Sequence, residues 1–408
     1  MVNKAPMFEN IIGQQEIVEE LKQDLRKNSL PRALLFHGAP LAGKLTTALE
    51  LSRVLMCKNQ TAGWNCDCQS CLANRTLENP YLLLIGPKAF LDEISAAANV
   101  LTRSPKDSSR YLFIRAVRKL TRRYDRAVWD GWESRISGYF PVLEELQDVL
   151  ERLYPDQKSQ IKSLGNLTSR AIKLCEKISG HASNDTIPVH HIRRATYWSH
   201  ISAQESRKVV IVENADKMSG SAGNALLKVL EEPPRNTHFV LITTRKAAII
   251  PTLRSRLRPF GFVERDEDST RALLQRVFHE ESSAYRTLRE YFLAWQISPD
   301  SLRRECERFF EAVLKEDPTI FFMNAEAEEF LLNLKNRRIF TSFLEELSNL
   351  GKRLLDEYAK RGPISVSKLG RLEAWNVAIK KRAKLMESLN LNPRLLTESL
   401  YNEMRAAI

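Results

Sequence analysis

The stretch Gly38-Ala-Pro-Leu-Ala-Gly43-Lys44 constrains the fold more than any other part of the chain. A glycine, four residues and then Gly-Lys is the spacing of a phosphate-binding loop, which needs a buried strand before it and a helix after it. Both flanks are present: "RALLFHG" is a short apolar run of strand type, and "KLTTALELSRVLMC" is helical in pattern. Backbone N–H groups at that helix start would cradle phosphates, with Lys44 adding a point charge. Residues 14–28 form an amphipathic helix pattern with Ile17, Leu21 and Leu25 on one face. Further buried-strand runs are Tyr81–Gly86, Lys208–Glu213 and His238–Thr244, separated by helical stretches. Short apolar runs alternating with helices predict an α/β fold whose parallel sheet is covered on both faces.

At 408 residues the chain exceeds one ordinary core, so two or three domains are expected. Hydrophobic content of 43% and charged content of 27% describe a folded globular protein. The formal net charge of +12 favours anionic partners, nucleic acid among them. The N-terminus lacks the layout of a signal peptide, and no apolar run approaches the ~20 residues of a membrane span, which predicts a cytoplasmic protein with no membrane partner. From about Phe90 to Asp185 the strand rhythm stops and patterns such as "FPVLEELQDVLERLY" predict an inserted helical module. After Val263 the pattern is helical to the end, with Pro318 and Arg361–Ser365 as punctuation.

Hydrolysis at the loop would require more than the loop. A hydroxyl directly after the lysine should hold Mg²⁺, but the residue there is Leu45, and Thr46 is turned by about 100° around the helix. The third strand ends in Glu213-Asn214, where an ATPase with such a loop needs an Asp for the metal and a Glu to polarise water. Asn214 cannot act as a base. Asp216, two residues on, reads as a turn or helix-cap residue.

Four of the six cysteines form the run Cys57-x8-Cys66-x-Cys68-x2-Cys71. In a reducing compartment such clustering favours a metal over disulfides, and four thiolates suit a closed, structural, tetrahedral Zn²⁺ site; free thiols are the alternative. Cys175 and Cys306 read as buried apolar residues. In the insert, Leu101–Arg126 holds nine Lys/Arg (103, 106, 110, 115, 118, 119, 122, 123 and 126), several at helical spacing, interleaved with Tyr111, Phe113, Tyr124, Trp129 and Trp132. That stripe reads either as a DNA phosphate contact or as a solvated face whose aromatics pack the module's own core.

The segments "FENIIGQQ", "ALLFHGAPLAGK", "KVVIVENADKMSGSAGNALLKVLEEPPRNTHFVLITT" and "TLRSRLR" together resemble the bacterial DNA polymerase III clamp loader, an AAA+ assembly, and are most similar to its delta-prime subunits. The resemblance covers roughly Phe8–Arg258 apart from the insert, for which no counterpart is recognised. It implies an AAA+ P-loop domain over 1–264 with a zinc module at 57–71, a helical lid domain over 265–325 and a helical collar domain over 326–408. The end Leu389–Met404 resembles the last collar helix. The usual zinc module has two residues between the second and third cysteines, and this chain has only Asp67.

The resemblance further implies a DNA replication protein that does not hydrolyse ATP at its own site. It would sit in a hetero-oligomer with delta and gamma/tau subunits and support loading of the sliding clamp on primed DNA. Ser255 and Arg256 match the family's Ser-Arg-Cys motif, in which the arginine acts in trans on a neighbour's ATP, with Leu257 in place of the cysteine. Gly38, Gly43, Lys44, Thr46, Glu213 and Thr243 would form the nucleotide site, for ATP or ADP with Mg²⁺, and Thr243 matches the position that senses the γ-phosphate. Arg303 could stand at a second sensor position or be a solvated helical arginine. The competing readings are an active gamma/tau-like ATPase, with Glu213 in place of the metal-binding Asp, and a zinc-stabilised DNA-binding adaptor working through the insert.

Overall fold

The computed structural model of the chain describes residues 7–59, 62–86, 91–156, 161–179, 186–201, 206–281, 285–294, 297–323, 325–334, 336–360, 365–389 and 391–407. They divide into two compact units, Met1–Arg289 and Glu290–Ile408.

The first unit is built on five strands, β1 (Ala33–Gly38), β2 (Leu82–Ile85), β3 (Lys208–Glu213), β4 (Thr237–Thr243) and β5 (Arg258–Phe262). They lie in the order β2-β3-β4-β1-β5, and every neighbouring pair is parallel. β2 and β4 are buried along their whole length, as continuous apolar runs in a two-sided parallel sheet should be. Side chains alternate between two cores. Leu34, Phe36, Val209, Ile211 and Val240 pack on the side of α1 (Gln15–Arg26) and α2 (Lys44–Met56). Leu35, Leu83, Val210, Val212 and Leu241 pack on the other side.

The sequence reading located four of these strands to within a residue or two and missed β5. Pro259 and Gly261 break its apolar pattern, but at a sheet edge a missing N–H is tolerated. Phe260 and Phe262 still point inward, with ring centroids 5.6 and 5.1 Å from Phe36.

After α3 (Gln69–Arg75) and β2, the insert runs through α4 (Leu91–Arg103), α5 (Asp107–Thr121), α6 (Arg126–Trp129), α7 (Phe140–Glu151) and α8 (Ile161–Ser179). It is helical as read, but its core is not its own. Phe113, Ile114, Val117, Leu120, Tyr124 and Trp129 share one cluster with the sheet residues Leu83, Val210 and Leu241. Helix α9 (Val189–His200) leads back into β3, and α10 (Gly220–Glu231), α11 (Pro251–Arg254) and α12 (Glu267–Phe278) follow between and after the remaining strands. α13 (Leu288–Leu293) lies across the division.

The second unit contains α14 (Pro299–Leu314), α15 (Thr319–Phe322), α16 (Ala325–Asn333), α17 (Arg337–Lys360), α18 (Val366–Leu389) and α19 (Pro393–Arg405). One aromatic-rich core, including Phe309, Phe321, Phe343, Trp375 and Tyr401, runs from α14 to α19. The Phe309 ring meets those of Phe321 and Phe343 edge-on at 5.1 and 5.5 Å, a favoured aromatic geometry. Among the described residues, no helix is long and apolar enough to cross a membrane.

Candidate nucleotide loop and thiol cluster

β1 ends at Gly38, and Gly43 sits before the first residue of α2 with φ +93°, a left-handed conformation that favours glycine. Gly38 has φ +133°, and a Cβ there would collide with the Phe262 carbonyl. A Cβ on Gly43 would fall 2.5 Å from Arg265 Nη2. Both glycines are therefore demanded by backbone shape and by close approach. Lys44 is only 6% exposed. Its Nζ donates to the Gly38 carbonyl at 2.9 Å and to that of Ala39. Burial pushes its amine down to about 8, with Glu213 pulling the other way.

The loop is braced by the chain after β5. Arg265 donates to the carbonyls of Leu41 and, at 3.0 Å, Ile12. The Gln14 side chain donates to Val263 O at 2.8 Å and accepts from Val263 N at 3.2 Å. Thr47 Oγ1 donates to the Gly43 carbonyl at 3.0 Å, whereas Thr46 is exposed. Leu45 packs against both cores.

Glu213, at the end of β3, accepts from Arg123 Nη2 at 2.6 Å; the two side chains are 19% and 1% exposed. Burial raises the Glu213 carboxyl above its ordinary range, against the pull of the guanidinium. Asn214 takes a left-handed conformation, φ 52° and ψ 49°. Asp216 lies in a short turn, as expected, and its buried carboxylate also ties two elements together. It accepts from Thr243 Oγ1 at 2.6 Å and from Arg245 Nε and Nη2 at 3.0 and 2.9 Å. Thr243 is fully buried.

Ser255 and Arg256 are exposed on the turn between α11 and β5. Ser255 Oγ donates to Thr252 O at 3.0 Å. Arg256 Nε donates to Glu231 Oε1 at 3.0 Å, Nη2 donates to the same oxygen, and Nη1 donates to Thr252 O at 2.7 Å. The Arg256 and Glu231 side chains are 33% and 50% exposed. Arg303 belongs to the second unit, where it pairs with Asp300 at 3.6 Å on the surface of α14.

The four clustered cysteines converge, with all Sγ atoms within 4.8 Å of one another. Cys57 Sγ and Cys66 Sγ are 3.6 Å apart, close to the edge expected of a tetrahedron with metal–sulfur bonds of about 2.3 Å. One residue between Cys66 and Cys68 therefore does not prevent convergence. Burial raises the Cys68 thiol, but the N–H groups of Cys71 and Lys58 outweigh it and bring it down to about 6. Burial pushes Cys71 well up, while Arg53 Nη1 lies 3.5 Å from its sulfur. A metal ion could be held here by these residues. Cys175 and Cys306 are fully buried, as read.

Six of the nine cations of the basic stripe are engaged inside the unit, whereas Arg103, Lys106 and Arg126 are exposed. Arg110 donates to Leu153 O and Tyr154 O at 3.3 and 3.4 Å. Arg115 caps the end of α3 through Asn74 O and Arg75 O at 2.8 and 3.1 Å. Arg118 binds Glu78, Gln147 and the Tyr154 hydroxyl, Lys119 binds Glu93, and Arg122 reaches Asn79 O and Leu82 O. With Arg123 on Glu213, these six cations satisfy carbonyls and carboxylates inside the unit.

Arg123, Arg245 and Arg265 are residues beside the loop that the sequence reading did not assign to the site. A carboxylate at the end of a buried strand requires a cationic neighbour, and that requirement was the available signal for Arg123. Arg265 carried no comparable signal.

Comparison with known proteins now bears on these features. A family model described as "DNA polymerase III, delta subunit" matches residues 13–124 and 151–266, more than half of the chain. The match runs through α4 and α5, so only 125–150 within the insert interrupts it, a narrower gap than the sequence reading allowed. A DNA polymerase III subunit delta' from Buchnera aphidicola is 45% identical over 75 residues, 18% of this chain and 22% of that protein. A DNA polymerase III subunit gamma/tau from Mycobacterium bovis is 37% identical over 78 residues, 19% of this chain and 14% of that protein. The aligned stretches thus span about a fifth or less of the length of these relatives. A crystal structure of a DNA polymerase III gamma subunit-related protein from Thermotoga maritima covers 54% of this chain and 80% of its own, at 21% identity and a TM-score of 0.29. The extent of the family match, on a chain whose loop and five-stranded parallel sheet have the expected form, places this protein in the DNA polymerase III delta-subunit family of clamp-loader proteins, with delta-prime subunits among its relatives.

Proposed function

We propose that the chain is a delta-prime-like, non-motor subunit of a DNA polymerase III clamp loader. It works in a hetero-oligomer with delta and gamma/tau subunits to support ATP-dependent loading of the sliding clamp on primed DNA. The observation that carries this reading is the contrast between the sheet's C-terminal edge, which holds the loop and the end of β3, and its N-terminal edge, where Arg256 precedes β5. Leu45 and Asn214 stand where metal binding and water activation need a hydroxyl and a carboxylate, while Arg256 is exposed and held only by surface groups. In this reading Arg256, oriented by Ser255, reaches a neighbouring subunit's ATP and stabilises the charge of phosphoryl transfer.

Gly38, Gly43 and Lys44 form the nucleotide loop, with Thr46, Glu213 and Thr243 around it. Zn²⁺ is the metal we assign to Cys57, Cys66, Cys68 and Cys71, since four thiolates suit it and leave no open position for catalysis. The helical end is assigned to oligomerisation. A lid over 265–325 and a collar over 326–408 remain part of the proposal, although the single core joining α14 to α19 favours a collar that begins near residue 290.

Reconstitution tests the assignment. A loader assembled from the organism's gamma/tau and delta subunits should place the clamp on primed DNA only when this chain is included. Equal loading without it would refute the role.

A further inference from the structure

Nucleotide hydrolysis by proteins with this loop ordinarily relies on Mg²⁺, and the residues here do not fit that ion. A divalent cation at such a site bridges phosphate oxygens to a hydroxyl and a carboxylate. Leu45, in the hydroxyl position, is packed into the cores. The two carboxylates at the end of β3 and in the turn after it are both engaged by cations. Asp216 is held by Arg245 at 2.9 Å and by Thr243, and Glu213 by Arg123 at 2.6 Å.

Arg123 is not a loose side chain that could swing away. It follows α5 directly, its carbonyl accepts from Trp129 Nε1 at 2.8 Å, and its guanidinium is almost fully enclosed. Lys119, one turn earlier, is fixed on Glu93 and adds positive charge near Glu213. A metal ion at Glu213 would compete with a guanidinium whose side chain is only 1% exposed, and displacing that charge without a partner carries a heavy penalty. Positive charge for a bound phosphate is meanwhile supplied by the protein, through Lys44 and the loop-bound Arg265.

We propose that Arg123 takes the place of the divalent cation at the β3 carboxylate, so that the phosphate loop holds a nucleoside diphosphate or triphosphate without Mg²⁺. This deepens the reading of Gly38–Lys44 as a nucleotide loop and rests on it. The insert thereby acquires a role, since it carries the residue that closes the metal position while leaving the anion position open.

The test is fluorescence titration of the full chain with mant-ADP, in excess MgCl₂ and in EDTA. The wild type should bind with affinities equal within about twofold in the two conditions, and Lys44→Ala should lose binding. Arg123→Gln should acquire Mg²⁺-strengthened binding of about fivefold or more, which the further change Glu213→Gln removes. Wild-type affinity that rises about tenfold with Mg²⁺ overturns the proposal, as does absence of mant-ADP binding in both conditions. The wild-type comparison needs no variant, so misfolding of Arg123→Gln does not shelter the idea. Because the assay reads the isolated chain, its failure is separate from a failure of clamp loading by the assembly.

Discussion

Two arginine–glutamate pairs in the first unit share the same chemistry and differ in burial. Arg123 and Glu213 are enclosed where an insert helix meets the sheet, whereas Arg256 and Glu231 meet at the surface. Breaking a buried pair by deleting one partner leaves a charge without water, so such a pair persists. An exposed pair is worth about 1 kcal/mol or less and exchanges readily for a better anion. In the proposed reading, the first pair closes the chain's own nucleotide loop to metal chemistry, and the second keeps an arginine available for a neighbour's phosphate.

The largest expected effect follows from the buried pair. Arg123→Ala should destabilise the first unit by about 3–5 kcal/mol in urea unfolding, and adding Glu213→Gln should recover part of that loss. If Arg123→Ala leaves the midpoint unchanged, the pair is not the lock described here.

The thiol cluster comes next. The purified chain should carry about one zinc, and Cys71→Ser should lose it and lower the melting temperature, as elemental analysis and calorimetry would report. Full zinc content in that variant would exclude Cys71 as a ligand.

A pH effect of intermediate size is expected from His238 on β4. Burial, with the nearby charges of Arg207 and Arg32, pushes its imidazole down to about 4 from 6.5. The folded-state pKa is the lower one, so the unfolded chain binds the proton more readily. Stability is full above pH 6.5 and is lost as pH falls toward 4. Between pH 7 and pH 5 this site should contribute a loss of about 2 kcal/mol that His238→Phe removes. The same pH dependence in wild type and variant would assign the loss to other groups.

The smallest stability effect belongs to the exposed pair. Arg256→Ala should move the urea midpoint by no more than about 0.5 kcal/mol of stability, which separates any loss of function from a loss of fold. A shift as large as that of Arg123→Ala would erase the distinction between the two pairs.

What the sequence revealed depended on how local the physics was. The loop glycines, the apolar strands and the thiol cluster are short-range features, and all were readable with near-correct limits. β5 was not, because Pro259 and Gly261 hide an edge strand that only the sheet explains. The insert misled for a related reason. Arg115, Arg118 and Arg122 recur at helical spacing, and spacing identifies a shared face without saying what covers it. Here the cover is the end of α3, Glu78 and the carbonyls before and in β2. Arg123 and Glu213 stand 90 positions apart in the sequence, so their pairing is a property of the folded chain.

The central claim is tested most directly by steady-state ATP hydrolysis, measured for this chain alone and in the assembled loader with clamp and primed DNA. The account predicts a silent lone chain and an assembly in which Arg256→Ala slows the one site it serves by a factor on the order of 10³, while Lys44→Ala leaves turnover near wild type. Turnover by the lone chain that Lys44→Ala abolishes, or an assembly indifferent to Arg256→Ala, would contradict it.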